Sequence, residues 1–379
     1  MINRRIKLVI VIVDLAAGTG SFVRSLGSGL RRWYSSEFEV HLLTIRSCEL
    51  SDADRAAFDQ AHSLDMDLKE NWRQMFALPI AVKRMRMVLE EVQPDLIMGV
   101  HTFSNVVSSF AAGDRPVILT DHLNLSQRQS ARGFSAPTRM LMKQMYRKHL
   151  AVGVCQEIVN DLRAHFDASR TEAILNGVDV TKIRAASTES PRIEVPSRYI
   201  IAVGRLAPQK DIPTLLQAYA LARKAGLHED LVIVGDGPER ASLVELSRSS
   251  GLENHVHFAG QQANPFPLIA RSKMLVMSSV YEGFGLVLAE ALALGVPCVS
   301  TDCPSGPREI LGNGQYGLLV PVRDPQRLAD AMFRLANDDE LRKQFIARSG
   351  VRANELSLEN MTRRYRDLMV KELQSSSPV

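Results

Sequence analysis

The stretch 278-SSVYEGFGLVLAEALALGVP-297 sets two glutamates eight positions apart, Glu282 ahead of a Gly-Phe-Gly turn and Glu290 inside an almost wholly apolar run. From Leu286 to Leu294 the pattern is that of a helix packed on most of its circumference, and no Lys or Arg lies within helical reach of Glu290. Leaving a carboxylate unpaired there costs on the order of several kcal/mol, so something else must satisfy it. Short apolar runs at 274–277 and 297–300 flank the stretch and have the length of strands. Strand, turn, buried helix and strand make a βαβ unit, which belongs in a parallel sheet covered on both faces.

The same alternation extends outward to both ends of the chain. In the first half strands are expected at 7–13, 39–45, 95–100, 117–120, 151–155 and 173–175, and in the second at 199–203, 231–234, 255–258, 274–277, 297–300 and 317–319. Helix starts are signalled by Asp211 before IPTLLQAYALARKAG and by Asp324-Pro325 before QRLADAMFRLA. Between them, 180–198 loses periodicity, collects Ser, Thr and two prolines, and is the expected linker. The expected fold class is therefore α/β, with two Rossmann-like, doubly wound parallel-sheet domains facing a cleft. The first spans 1–185 and the second 186–355; an amphipathic helix within 356–379 is expected to return to the first, its SSSPV tail frayed. Strand C-termini at the cleft are where such sheets bind ligands.

Composition agrees with two soluble domains. The chain has 379 residues, 45% hydrophobic and 23% charged. Cys48, Cys155, Cys298 and Cys303 form no CxxC pair and no metal-ligand spacing, which suits a reducing cytoplasm and argues against a structural zinc. MINRRIKLVIVIVD imitates a signal peptide, but its apolar run, Leu8 to Val13, ends at Asp14 and reads as a buried first strand. No stretch approaches the roughly 20 apolar residues of a membrane span, so membrane contact would be peripheral. The net charge of +4 carries no nucleic-acid signature, but it is uneven: no acidic residue lies between Asp121 and Glu157. That interval holds Arg128, Arg132, Arg139, Lys143, Arg147 and Lys148, interleaved with Met140, Leu141, Met142, Met145 and Tyr146. It is either a solvated helix face over a core stripe or a basic amphipathic surface that touches anionic lipid.

Several strand ends carry candidate chemistry. Gly18-Thr19-Gly20 follows the first strand, but Val23 stands where a dinucleotide fingerprint needs its third glycine and HLLTI ends without an acidic residue. The glycines serve either a ligand's close approach or a tight turn. In VGRLAPQKDI, Arg205 and Lys210 flank a helix start, and two cations beside the positive end of a helix suit a diphosphate; each alone is a surface charge. Weaker candidates are Gly235 in VIVGDGPER, Gly260 ending HVHFAG, and Glu309 after the Pro-Ser-Gly-Pro segment of TDCPSGPREILG.

Taken together, GRLAPQKDIPTLLQAY, LVIVGDGPER, HVHFAG, YEGFGLVLAEALALGVPCVS and GLLVPVRDPQRLADAM resemble the family 4 retaining glycosyltransferases of the GT-B fold, in the family's order and spacing. The resemblance implies that Arg205 and Lys210 bind the donor diphosphate, that Glu290 holds the nucleotide ribose, and that Glu282 lies near the transferred sugar. The amides of Phe284, Gly285 and Leu286 would lie against sugar and phosphate, and Gly18 and Gly20 beside the diphosphate. His122 in VILTDHLN matches the family's cleft histidine near the anomeric centre; His101 in DLIMGVH is a weaker match, or a satisfied core histidine. GTGSFVR departs from the family's Gly-Gly-Ala-Glu-Arg, so acceptor contacts there do not carry over. DCPSGPREIL resembles transferases that move galactose-type sugars from UDP onto lipid-linked or polysaccharide acceptors.

The expectation is a retaining hexosyltransferase that takes a sugar from a nucleotide-diphosphate donor, UDP-linked, to a hydroxyl of a glycan or lipid-linked glycan. No cofactor and no metal are expected, because Arg205, Lys210 and helix N-termini take the leaving group's charge. Retention could proceed by front-face attack or through a covalent intermediate. The setting expected is cytoplasmic, peripheral at an anionic inner membrane surface. The alternatives are a nucleotide-sugar epimerase or sugar phosphorylase of the same fold, and a catalytically silent glycan-binding or scaffold protein.

Overall fold

The computed structural model of the protein describes residues 4–67, 73–126 and 136–376. They form two compact units, one of residues 1–177 with 358–379 and the other of 178–357.

The first unit holds a seven-stranded sheet ordered β3-β2-β1-β4-β5-β6-β7, every neighbouring pair parallel. Its strands are β1 (Ile6–Ile12), β2 (Phe38–Thr44), β3 (Gln60–Ser63), β4 (Leu96–Val100), β5 (Val117–Asp121), β6 (Leu150–Gly153) and β7 (Thr171–Ala173). β1 reads IKLVIVI and is almost wholly buried because helices cover both faces of the sheet. β3, QAHS, was not foreseen: an exposed edge strand of polar residues carries no apolar alternation. It is held partly by His62, whose Nε2 lies 3.2 Å from Nδ1 of His41 on β2.

The helix Leu358–Ser376 packs in this unit, where Met361, Tyr365 and Met369 join the core beside Phe22, Leu26 and Leu30. Arg170 pairs with Glu372, and Arg366 with Glu37 at 2.6 Å. Thr362 Oγ1 lies where a Cβ on Gly29 would come within 2.2 Å, so the first helix needs a glycine at this contact.

The second unit holds a six-stranded parallel sheet ordered β10-β9-β8-β11-β12-β13. Its strands are β8 (Tyr199–Val203), β9 (Asp230–Val234), β10 (Val256–Gly260), β11 (Leu275–Met277), β12 (Cys298–Thr301) and β13 (Leu318–Val320). The expected linker is partly a helix, Val180–Ser187. The Asp179 side chain accepts from the Lys182 amide at its start, and Arg184 Nε donates to the Ala293 carbonyl, so capping and docking override a weak apolar period.

In both sheets the order reverses once, between β1 and β4 and between β8 and β11. A crevice outside the carboxyl ends of the strands opens at such a point.

Candidate functional site

At the switch point of the second unit three loops are tied together. After β8, the Gly204 amide donates to Val234 and the Leu206 amide to Asp236. Gly235 has φ 136°, and a Cβ there would lie 1.9 Å from the Gly204 carbonyl oxygen, so backbone meets backbone. A 3-10 turn, Pro208–Lys210, leads into the helix Ile212–Lys224. Asp211 occupies the N-cap position, as its place in the sequence suggests, but at φ 46° and without a side-chain capping bond. The Val280 amide donates to Gln209 O, and Ser278 Oγ to Lys210 O, which fixes this turn against the loop after β11.

That second loop carries Glu282, buried at 7% exposure. Its Oε1 accepts from Lys210 Nζ at 2.6 Å and from Ser279 Oγ at 2.6 Å, and its Oε2 from Gln209 Nε2 at 3.4 Å. Lys210 and Glu282, which the resemblance assigns to phosphate and sugar respectively, are thus one ion pair.

The third loop is Pro-Ser-Gly-Pro. Pro304 O accepts from the Glu282 amide, and the Ser305 amide and hydroxyl both donate to Glu282 O. Gly306, at φ 99°, sits where a Cβ would be 2.2 Å from Phe284 O. Glu309 follows in a short helix, Pro307–Ile310, whose last carbonyls accept from Arg352.

The buried helix of the opening stretch, Leu286–Ala293, begins at Gly285 with φ 92° and has no side-chain cap. Among the described residues no acceptor meets the amides of Phe284, Gly285 or Leu286. Glu290 lies one turn in, partly exposed, and burial pushes its carboxyl up to about 7. No hydrogen-bond partner for it is found among the described residues, so the need inferred from sequence is real. Arg205 is exposed and, among the described residues, makes no ion pair. Among the described residues the site therefore presents a cation without an ion pair, a cation held by a carboxylate, uncapped amides and a carboxyl whose pKa is raised to about 7. Gly260, ending β10, accepts from the Gly235 amide and borders the same loops.

In the first unit, Gly18 and Gly20 lie in the first turn of the helix Ala17–Tyr34, not in a loop before it. A Cβ on Gly20 would come within 2.0 Å of Leu15 O, whereas Gly18 has nothing within 4 Å. The close approach to Leu15 favours the tight-turn function for Gly20; Gly18 leaves open space.

His122 ends β5. It is buried, its Nε2 meets no partner among the described residues, and the Phe22 ring stands edge-on at 4.5 Å. Desolvation, then the neighbouring His101, pushes its pKa down to about 3, so the imidazole is neutral at pH 7. His101 directly follows β4 with φ 75° and ψ 158°, a backbone region that belongs essentially to glycine. It is no ordinary core histidine: its Nδ1 accepts from the Thr102 amide at 2.8 Å and caps the next helix.

Sequence reasoning missed the support beneath these histidines. Asp121 Oδ2 accepts from Tyr146 Oη at 2.8 Å and from Asn105 Nδ2 at 3.2 Å, and burial pushes its carboxyl up to about 7. The signal was present in TDH, a carboxylate closing an apolar strand beside His122. Its partners lie 16 and 25 positions away and could not be read from pattern. Among the described residues no group of three or more His, Cys, Asp or Glu is placed to hold a metal ion.

A family model described as Glycosyltransferase Family 4 matches residues 16–182, and one described as Glycosyl transferases group 1 matches 184–350. An uncharacterised glycosyltransferase of Methanocaldococcus jannaschii is 26% identical over 74% of this chain and 80% of its own length. The N-acetylgalactosamine-N,N'-diacetylbacillosaminyl-diphospho-undecaprenol 4-alpha-N-acetylgalactosaminyltransferase of Campylobacter jejuni is 34% identical over 52% of this chain, which spans about half (53%) of that relative. The structure of HepE from Anabaena in complex with UDP-glucose superposes with a TM-score of 0.72 at 18% identity, covering 97% of this chain and 100% of that one.

Proposed function

Since the chain belongs to the family 4 glycosyltransferases and has the GT-B fold, we propose that it moves a hexose from a UDP-linked donor to a hydroxyl of a glycan or lipid-linked glycan, with retention at the anomeric carbon. One observation carries the proposal: the loop after β8 holds Arg205 and Lys210, the loop after β11 holds Glu282 in an ion pair with Lys210, and the helix that follows starts on an uncapped Gly285 and carries Glu290, which has no hydrogen-bond partner among the described residues. Glycan-linked acceptors and a UDP-sugar among the similar proteins support the choice of substrates.

The departing diphosphate gathers charge as the glycosidic bond breaks. Arg205, Lys210 and the amide end of Leu286–Ala293 would stabilise it without a metal. Lys210 can turn to phosphate only by sharing or leaving Glu282, and the two donors that remain, Ser279 and Gln209, keep that carboxylate solvated by hydrogen bonds. A carboxylate so held by donors is a weak nucleophile, which favours front-face attack over a covalent intermediate. The bond from the anomeric carbon to phosphate breaks, the bond to the acceptor oxygen forms on the same face, and the acceptor's proton passes to the leaving phosphate. Glu290 would accept from the ribose hydroxyls. Neutral His122 suits a sugar hydroxyl because it exchanges a hydrogen bond without adding charge. A lipid-linked acceptor would bring the enzyme to the cytoplasmic surface of an anionic membrane. No observation favours the epimerase.

Calorimetry of UDP and GDP with EDTA present tests the donor assignment. UDP is expected to bind with EDTA present and more tightly than GDP; a strict requirement for magnesium or manganese, or a preference for GDP, would overturn it.

A further inference from the structure

One face of the first unit exposes large apolar side chains and cations together. On the helix Arg73–Val92, Ile80 is 53% and Met87 62% exposed, with Lys83 one turn from each along the same stripe. Arg86 of this helix donates to Phe110 O at the end of the helix Thr102–Ala111, and Phe110 is itself 40% exposed. Phe110 then forms one wall of a cavity of about 240 Å³ whose other walls are Leu141, Gln144, Met145 and Lys148 of the helix Ala136–Lys148. Met140, one turn before Gln144, is 76% exposed.

The sequence interval 128–148 is thereby divided. Arg128 and Arg132 lie outside the described residues. Met142, Met145 and Tyr146 are core, and Lys143 and Arg147 share the single carboxylate of Asp167. Lys83, Arg139 and Lys148 remain, with no acidic partner among the described residues. The acidic residues nearest in sequence on the helix Arg73–Val92, Glu90 and Glu91, lie beyond Met87 and close the stripe.

We propose that the face formed by Ile80, Met87, Phe110 and Met140, with Lys83, Arg139 and Lys148, docks on an anionic phospholipid bilayer. The apolar side chains enter the headgroup boundary, the ammonium and guanidinium groups meet lipid phosphates, and the recess between Phe110 and Leu141 beneath Lys148 receives an acyl segment. Charge complementarity selects this occupant: unpaired cations beside exposed Met and Ile match phosphate over hydrocarbon. The face contains none of the residues assigned to the donor, so it stands or falls separately from the transfer reaction.

Flotation of the whole protein with vesicles of phosphatidylcholine alone, and of phosphatidylcholine mixed with phosphatidylglycerol, tests it. Recovery is expected with the anionic vesicles, to fall at high salt, and to weaken about fivefold for each of Lys83→Ala, Arg139→Ala and Lys148→Ala. Met140→Glu should weaken it about tenfold or more, since it replaces an inserted side chain with a charge. All four variants should bind UDP like the parent. Equal recovery with both vesicles, no recovery with either, variants floating like the parent, or binding lost only on replacing Arg128 and Arg132 would each overturn this surface.

Discussion

Replacing Glu290 with Gln, and following UDP affinity and melting temperature from pH 5 to pH 8.5, isolates a single carboxyl. Burial raises the folded-state pKa of Glu290 from 4.5 to about 7. A carboxyl shifted upward stabilises the fold in its protonated form; that contribution is fully present below pH 4.5 and is lost as pH rises through about 7. The shift corresponds to at most about 3 kcal/mol, an upper bound because the side chain is partly exposed. The variant is therefore expected to match the parent near pH 4.5 and to melt higher above pH 7, by at most about 10 °C. UDP affinity should move the other way. Ribose hydroxyls need the ionised acceptor, about a tenth of which is present at pH 6 and about nine-tenths at pH 8. Parent affinity thus gains about tenfold across that range from this group. The nucleotide's own phosphate also titrates near pH 6, and the variant carries that contribution alone. At pH 8 the parent should bind UDP about ten- to a hundredfold more tightly than the variant, narrowing toward pH 6. Parallel pH profiles for parent and variant would refute the ribose assignment, and equal melting temperatures at pH 8 would refute the buried-charge argument beneath it.

Lys210→Ala leaves Glu282 buried without its cation and should cost about 3 kcal/mol of stability, read as a fall of roughly 10 °C in Tm, together with weaker UDP binding. Arg205→Ala should weaken UDP binding by tenfold or more with Tm unchanged, because the side chain is exposed and unpaired; calorimetry and thermal melts separate the two. Gly306→Ala forces a Cβ against Phe284 O from a backbone that favours glycine, so UDP binding should be largely lost while circular dichroism stays that of the parent. Tyr146→Phe removes a hydrogen bond to buried Asp121 and should cost about 1–3 kcal/mol in urea unfolding.

Most strands of the two sheets were legible because runs such as β1, β4 and β8 are short, apolar and rich in β-branched residues, and the switch-point residues because they follow such runs directly. Glu290 was legible for a negative reason: an apolar helix offers it no partner, and none is found among the described residues. What stayed hidden depends on contacts between distant positions. Nothing in the sequence ties Lys210 to Glu282, 72 positions on, or Tyr146 to Asp121. The helix Val180–Ser187 was hidden because its stability comes from a cap and from docking, and β3 because edge strands need no apolar face. The strain at His101 was invisible too, since glycine-type backbone at a histidine leaves no mark in composition.

The central claim, transfer from a UDP-sugar by the chain's own cations, is tested most directly by incubating the protein with sugar-labelled UDP-glucose, UDP-galactose, their N-acetyl derivatives and GDP-mannose in EDTA, without acceptor. Slow release of UDP and free labelled sugar from one UDP-linked donor, abolished in Arg205→Ala, is the expected result. Label that remains nucleotide-linked on an epimerised sugar, or no turnover of any donor by a protein that binds none of them, would contradict the account.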